Sequence, residues 1–326
     1  MKMIKTISDL NEIPTGLVLT VGNFDGMHLG HQKILNVARQ MADKHKTSVA
    51  IMTFDPHPLA ILHPDKAPGT LTPLPLKKHL LTELGVDYRL VLNGGADILS
   101  LSPRQFIEKF IVDSINPVAV IEGNDFCFGA KRAGNIEMLA TFGDEFNFET
   151  IVVPTEEIEL PTGENVRVSS TMIRYMLTSS RVSDARQLLS RPYKLIGKVI
   201  TGRGKGRQLG FATANMQMPD QIVPAEGVYA GYVQLADNQH SVCESTENIP
   251  AIFSIGQAST FGHDYPLLIE AHILKEDIGE LAGKWMAMDF IDHIRLQHKF
   301  PNPEALIKQI KKDVAQAKDV LNKDGK

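Results

Sequence analysis

Gly22-Asn23-Phe24-Asp25-Gly26-Met27-His28-Leu29-Gly30-His31 is the stretch on which the reading of this chain turns. An apolar run at 17–21 leads into it and stops at Gly22, the pattern of a buried strand. Ile34, Ala38 and Met41 follow at helical spacing, so a helix is predicted to start near Gly30. The glycines permit a tight turn between strand and helix. A helix start offers unpaired N–H groups and the positive end of the peptide dipole, which together suit a phosphate. His28 and His31 would flank that anion site and donate to phosphate oxygens. Such donors stabilise charge building on an α-phosphate and on departing pyrophosphate. One loop histidine alone is more often an ordinary polar contact. Two of them three apart, with glycine between, at a strand-to-helix turn, favour function. Zinc is disfavoured, because no third and fourth ligand stands at a suitable spacing.

Outward from this stretch, the first half continues to alternate strand and helix. Residues 48–54, 118–121 and 149–153 read as strands, and 76–84 as a helix. Phe106 and Phe110, four apart, mark a further helix. That alternation predicts an α/β fold with a parallel sheet, whose ligands bind beyond the carboxyl ends of the strands. The second half changes character. Residues 195–200, 228–235, 251–255, 267–274 and 285–291 read as strands without intervening helices, which predicts a small antiparallel β-barrel. Residues 239–248 read as a polar, exposed loop. Leu306, Ile310, Val314 and Leu321 predict a C-terminal helix over 303–321, and the join between the halves reads near 183–191.

Bulk properties narrow the class. The chain has 326 residues, enough for two domains, with 43% hydrophobic and 22% charged residues and a net charge of −4. That balance gives no reason to expect nucleic acid or an anionic membrane as partner. Only two cysteines, Cys127 and Cys243, are present, far apart, which excludes a disulfide framework. No run of 18 apolar residues or signal-peptide pattern is found, so a reducing, cytoplasmic setting is expected.

Two more segments bear on phosphate chemistry. Ser169-Ser170-Thr171-Met172-Ile173-Arg174 opens a helical run. Ser and Thr cap helices well, so a plain capped helix is one reading. Arg174, one turn inside, can present its fork of donors to a triphosphate, which is the other. Gly202-Arg203-Gly204-Lys205-Gly206-Arg207 is a glycine-rich cationic loop, either a basic turn or a backbone cradle for phosphate. Glu270 interrupts the apolar strand 267–274, so it is either paired structurally or catalytic.

Taken in order, His28-Leu29-Gly30-His31, Phe54-Asp55-Pro56-His57-Pro58, Gly123-Asn124-Asp125-Phe126-Cys127-Phe128-Gly129 and Ser169 to Arg174 resemble the bifunctional riboflavin kinase/FAD synthetases of bacteria across essentially the whole chain. The resemblance implies an α/β Rossmann-like nucleotidylyltransferase domain over 1–184, then a riboflavin-kinase-like antiparallel barrel with a C-terminal helix over 185–326. It implies ATP, riboflavin and FMN as substrates and Mg²⁺ as cofactor. His28 and His31 would contact ATP phosphates. Gly22, Asn23, Phe24, Asp25, Gly30 and Asp125 would help form the nucleotide and flavin pockets, and Ser169, Ser170, Thr171 and Arg174 would hold the triphosphate. In the second half Gly204, Lys205 and Gly206 would meet ATP, Thr213 and Asn215 the metal, and Arg295 the flavin side. Glu270 would act as general base toward the riboflavin 5′-hydroxyl.

The second half departs from the family pattern. Ala212 replaces a Pro, Ala258-Ser259 stand where Arg-Pro is usual, Ala282 replaces a Tyr, and Ser190 replaces a Gly. These departures keep an alternative open, an FAD synthetase whose C-terminal domain binds flavin or nucleotide without transferring phosphate. A non-catalytic flavin- or nucleotide-binding module is a third reading, disfavoured by the intact His28, His31 and Arg174.

Overall fold

The structure is a computed structural model, and it describes residues 1–4, 13–54, 60–61, 65, 67–92, 96–201, 213–257, 267–275 and 278–325. His57 with its flanking prolines, the loop bearing Gly204, Lys205 and Gly206, and Ala212, Ala258 and Ser259 lie outside the described residues. The chain falls into two compact units. One holds 1–68, 77–159 and 165–168, and the other 69–76, 160–164 and 169–326.

The first unit is built on six parallel strands: β1 (Lys2–Ile4), β2 (Val18–Val21), β3 (Val49–Phe54), β4 (Tyr88–Leu92), β5 (Ala119–Gly123) and β6 (Glu149–Val153). Their spatial order is β1-β4-β3-β2-β5-β6. Alternate residues along β2, β3 and β5 serve two different cores. Leu19, Ala50, Met52 and Val120 enter one, while Val18, Val49, Ile51, Ala119 and Ile121 enter the other. Both faces are covered, which is why these strands read as predominantly apolar runs. Helix α1 (Leu29–His45) buries Leu35, Ala38, Met41 and Ala42 against the second core and ends at a left-handed Lys46. After β2 the chain proceeds outward through β3 and β4, then returns to β5 on the opposite side. The sheet therefore has its topological switch point between β2 and β5, and sheets of this kind bind their ligands beyond the carboxyl ends of the strands at that point.

β1 and β4 were not foreseen. β1 has only three residues, and β4 places Arg89, 2% exposed, among apolar neighbours, so neither shows a clean apolar run. The helix carrying Phe106 and Phe110 is a short α-helical turn, Pro103–Phe106, continued by a π-helical stretch, Ile107–Val112. Helix α2 (Leu74–Glu83), helix α3 (Ile136–Phe146) and a small antiparallel hairpin of β7 (Glu157–Glu159) and β8 (Asn165–Arg167) complete the elements used below.

The second unit begins with α4 (Ser170–Thr178) and α5 (Val182–Leu189). Its strands are β9 (Tyr193–Ile200), β10 (Thr213–Met216), β11 (Gly227–Ala236), β12 (Ile249–Gln257), β13 (Leu267–Ile273) and β14 (Trp285–Arg295). They close into an antiparallel barrel in the order β10-β13-β12-β11-β14-β9. Tyr229, Phe253 and Phe290 fill its centre, with Phe290 meeting the other two rings edge-on at 5.3 and 4.9 Å. Segment 69–76 belongs to this unit. Gln221 Nε2 donates to Leu71 O at 3.0 Å, and the Ile222 N–H donates to Thr70 O at 2.9 Å.

One expectation is corrected. Residues 239–248 are not simply an exposed loop: Asn238 caps helix α6 (Gln239–Glu244), which buries Val242 and Cys243. Two adjacent apolar residues in so short a helix leave no periodicity to read. The last helix, α7 (Pro303–Asp324), runs slightly beyond its predicted end and packs Ala317 and Leu321 against Val228, Ala230, Ile252 and Ile291.

Ser190 closes α5 in the left-handed conformation, φ 57°. A side chain with a Cβ resists that backbone, whereas glycine adopts it without penalty. Ser190→Gly is therefore expected to stabilise the barrel unit by about 1 kcal/mol. A urea titration checks this, and a midpoint equal to or below that of the parent protein counts against it.

Candidate active sites

The histidine loop starts where β2 ends. The Gly22 N–H donates to Met52 O at 2.9 Å, finishing the β2–β3 ladder. Phe24, Gly26 and Met27 then take φ values of 50°, 89° and 47°. For Phe and Met that backbone costs roughly 1–2 kcal/mol each. Both side chains are buried, which contributes roughly 1.5–3 kcal/mol apiece and outweighs the cost. Lys77 of α2 holds the loop from the side, its Nζ donating to Asn23 O at 2.8 Å and to Asn23 Oδ1 at 3.4 Å. Asp25 is buried.

His28 is the N-cap of α1, its Nδ1 accepting the His31 N–H at 3.4 Å. The Gln32 N–H donates to His28 O at 3.0 Å, and Gln32 Nε2 to Met27 O at 2.8 Å. The two imidazoles stack, with ring centres 3.7 Å apart and planes inclined by 18°. A Cβ at Gly30 would stand 3.3 Å from the His28 ring, so the glycine makes room for the stack. Burial pushes the His31 imidazole well below the usual histidine range, and the neighbouring charges of His28 and Lys77 push it the same way. His31 is thus a neutral ring near pH 7, and its Nδ1 is enclosed without a hydrogen-bond partner among the described residues.

On the other side of the switch point, Glu122 is the next-to-last residue of β5. It is 3% exposed, and its Oε1 accepts the Val21 N–H at 2.5 Å and the Thr20 hydroxyl at 3.4 Å. Burial drives its carboxyl well above the ordinary carboxylate range. The hydrogen bonds from Val21 and Thr20 oppose that shift, and Asp125 adds to it. Asp125 lies on the β5 exit, largely exposed, with Oδ2 accepting from Arg167 Nη2 at 2.6 Å. Phe128 packs into the core, and Phe126 stacks on it at 5.5 Å, partly buried. Sequence reading missed Lys77 and Glu122. A helical lysine carries no signal, but a carboxylate near the end of an otherwise apolar strand does.

Ser169 caps α4, its Oγ accepting the Met172 N–H at 3.2 Å. Ser170 is half-buried, Thr171 is exposed, and Arg174 Nε donates to Gly69 O at 2.8 Å. The structure thus groups Gly22, Asn23, Phe24, Asp25, His28, Gly30 and His31 at one strand-to-helix turn of the first unit. Ser169 to Arg174 form the start of a helix in the second unit.

In the barrel, Asn215 on β10 stands directly opposite Glu270 on β13, and Glu270 stands opposite Ser254 on β12. Thr213 lies opposite His272 in the same ladder. Paired residues share a face. The alternate face is that of Ala214, Met216, Ile269 and Ala271, all buried. Thr213, Asn215, Ser254, Glu270 and His272 therefore line one half-buried polar face. Gln297 Nε2 reaches it, donating to Ser254 Oγ at 2.8 Å. Neutral oxygens of Thr213 and Asn215 beside a carboxylate are a donor set that fits a hard divalent cation shared with phosphate. Arg295 is held by its neighbours. Nε and Nη2 pair with the buried Asp313 at 3.0 and 2.7 Å, while Nη1 meets Leu296 O and His298 Nδ1 at 3.0 and 3.3 Å.

An FAD synthetase family model matches residues 10–172, and a riboflavin kinase model matches residues 189–321. The bifunctional riboflavin kinase/FMN adenylyltransferase of Haemophilus influenzae is 33% identical over 99% of this chain and 100% of its own length. The chain belongs to the bifunctional riboflavin kinase/FMN adenylyltransferase family. Its relative of that name in Escherichia coli strain K12 is 32% identical over 98% of this chain and 97% of its own. A crystal structure described as a macrolide-efflux protein from Streptococcus pneumoniae has a TM-score of 0.83 and 27% identity, covering 98% of this chain and 99% of that one. Efflux is a membrane process, and among the described residues no helix is long and apolar enough to cross a membrane. Within the family frame, the α/β unit bears the FAD synthetase match and the barrel the riboflavin kinase match.

The Glu122 shift has a consequence for stability. A carboxyl whose folded pKa is raised gives its full contribution below the unfolded pKa and loses it as pH rises through the folded value. Glu122→Gln cannot ionise. The stability difference, variant minus parent, is expected to grow as pH rises from about 5 to about 8. Urea titrations across that range test this, and a pH-independent difference counts against a protonated Glu122.

Proposed function

We infer that the chain phosphorylates riboflavin to FMN with ATP and adenylylates FMN to FAD with release of pyrophosphate. The observation that carries this reading is the presence on one chain of both catalytic halves. Residues 10–172 match FAD synthetase and 189–321 match riboflavin kinase. The riboflavin kinase match and the Asn215–Glu270 register favour two activities over a synthetase joined to a silent barrel. The proposed division of labour is adenylyl transfer by 1–184 and kinase chemistry by 185–326.

For adenylyl transfer, an FMN phosphate oxygen attacks the α-phosphorus of ATP, the bond to the β-phosphate breaks, and pyrophosphate leaves. His28 and His31 at the start of α1 donate to the oxygens on which charge grows, with His31 serving as a neutral donor. Gly22, Asn23, Phe24, Asp25, Gly30 and Asp125 shape the nucleotide and flavin pockets, and Ser169, Ser170, Thr171 and Arg174 contact the triphosphate. Positioning and charge stabilisation suffice, and no covalent intermediate is required.

For the kinase, Glu270 takes the proton of the 5′-hydroxyl, the freed oxygen attacks the γ-phosphorus, and ADP leaves. Thr213 and Asn215 would hold Mg²⁺, which when bound neutralises phosphate charge. Gly204, Lys205 and Gly206 are assigned to ATP phosphates. Arg295, locked onto Asp313, orders the segment through Phe300, whose ring lies 5.7 Å from the guanidinium and 4.3 Å from the His298 ring. A cytoplasmic setting suits these substrates and the two unpaired thiols, Cys127 and Cys243.

Chromatography of flavins tests the assignments, with one reaction given riboflavin and MgATP and another given FMN and MgATP. The His28→Ala/His31→Ala variant is expected to lose FAD formation by about 100-fold or more while still forming FMN. Glu270→Ala is expected to lose FMN formation by a similar factor while still converting FMN to FAD. Full-rate FAD synthesis in the first variant rejects the histidine assignment. Unchanged FMN formation in the second rejects Glu270 as base.

A further inference from the structure

β2 and β5 begin as neighbours and then part. Their pairing covers only Val18 with Ala119 and Leu19 with Val120. On the other flank β2 stays paired with β3 through Val21–Met52, and β5 stays paired with β6 through Gly123–Val153. The parting is therefore local to the switch point. The N–H groups of Val18 and Gly22 point to β3, donating to Ser48 O and Met52 O. By the alternation of a strand, the Val21 N–H points to β5. A continued parallel ladder would give it a backbone carbonyl there. It is taken instead by a side chain, the Glu122 carboxyl at 2.5 Å.

We propose that Glu122 is a positioning residue for adenylyl transfer: its carboxyl group wedges the carboxyl ends of β2 and β5 apart and fixes the peptide from which the histidine loop springs. Val21 is followed directly by Gly22, and the loop reaches His28 seven residues and His31 ten residues after it, where their rings stack. Without the carboxyl, the Val21 N–H either remains unpaired in a buried place or turns to the β5 backbone. Either outcome moves Gly22 and the loop behind it. The wedge is chemically suited to its place, since burial favours the uncharged carboxyl over the carboxylate, and an uncharged group sets no negative charge beneath an anion-binding turn. Thr20 and Asp125 are its polar neighbours, the first a hydroxyl donor and the second a carboxylate on the same strand exit.

This proposal rests on the assignment of His28 and His31 to the phosphates of ATP, so the experiment separates the two. Full-length Glu122→Val, Glu122→Gln and His28→Ala/His31→Ala are assayed for FMN-to-FAD and riboflavin-to-FMN conversion. Glu122→Val is expected to lower kcat for FAD formation about 10- to 100-fold, with KM for FMN within about twofold and FMN formation unchanged. Glu122→Gln keeps the acceptor and the shape, and is expected to retain FAD formation within about threefold. A double-histidine variant that is inactive in FAD formation beside a fully active Glu122→Val overturns the wedge alone. A double-histidine variant that still makes FAD overturns the underlying assignment. Equal losses in Glu122→Gln and Glu122→Val also overturn the wedge, because the glutamine preserves the contact to Val21.

Discussion

Burial of Phe24 and Met27 keeps the chain after β2 in a left-handed backbone that neither residue favours, and the placement of both histidines depends on it. Relaxation of either residue to an ordinary backbone would swing His28 away from the start of α1. His28 would then no longer receive the His31 N–H, and the ring stack over Gly30 would be lost. Lys77 restrains the same loop through the Asn23 carbonyl, so packing below and a hydrogen bond from the side act together. Local strain persists here because the surroundings over-determine it, as is common at sites that bind or react.

The barrel reaches its polar face by a different route. The three strands that carry it, β10, β13 and β12, pair in unbroken register. Antiparallel register alone places Asn215, Glu270 and Ser254 side by side, while the intervening residues fill the interior. Arg295 and Asp313 then tie the end of β14 to α7, and Gln297 leans over Ser254. One unit thus positions its chemistry by a forced turn, the other by strand pairing.

These two routes explain what could be read in advance. His28, Gly30 and His31 are close in sequence, and their types are unusual enough together to show a turn and an anion site. The parallel sheet was visible where both faces are apolar, as in β2, β3 and β5, and invisible in β1 and β4, where shortness and Arg89 broke the pattern. The pairing of Asn215 with Glu270 could not be read, because register joins residues from distant strands and leaves no local mark. Glu122 and Lys77 escaped for a related reason: each matters through a backbone atom of another segment, Val21 N–H and Asn23 O. Helix α6 reads as a loop in the sequence because its anchor is only Val242 and Cys243.

Barrel closure carries an implication for how the protein is made. β9 pairs with β14 from Tyr193–Phe290 to Lys198–Trp285, and β14 is the sixth of these strands to leave the ribosome. The parallel sheet has all its strands by residue 153, long before. During synthesis the α/β unit can settle while the barrel still presents two open edges, β9 and β11, each awaiting the same strand. Open edges invite pairing with other chains. A message cut short before Trp285 would therefore yield a polypeptide with a finished front and a sticky back, and quality control would meet it as an aggregation hazard rather than as a smaller enzyme.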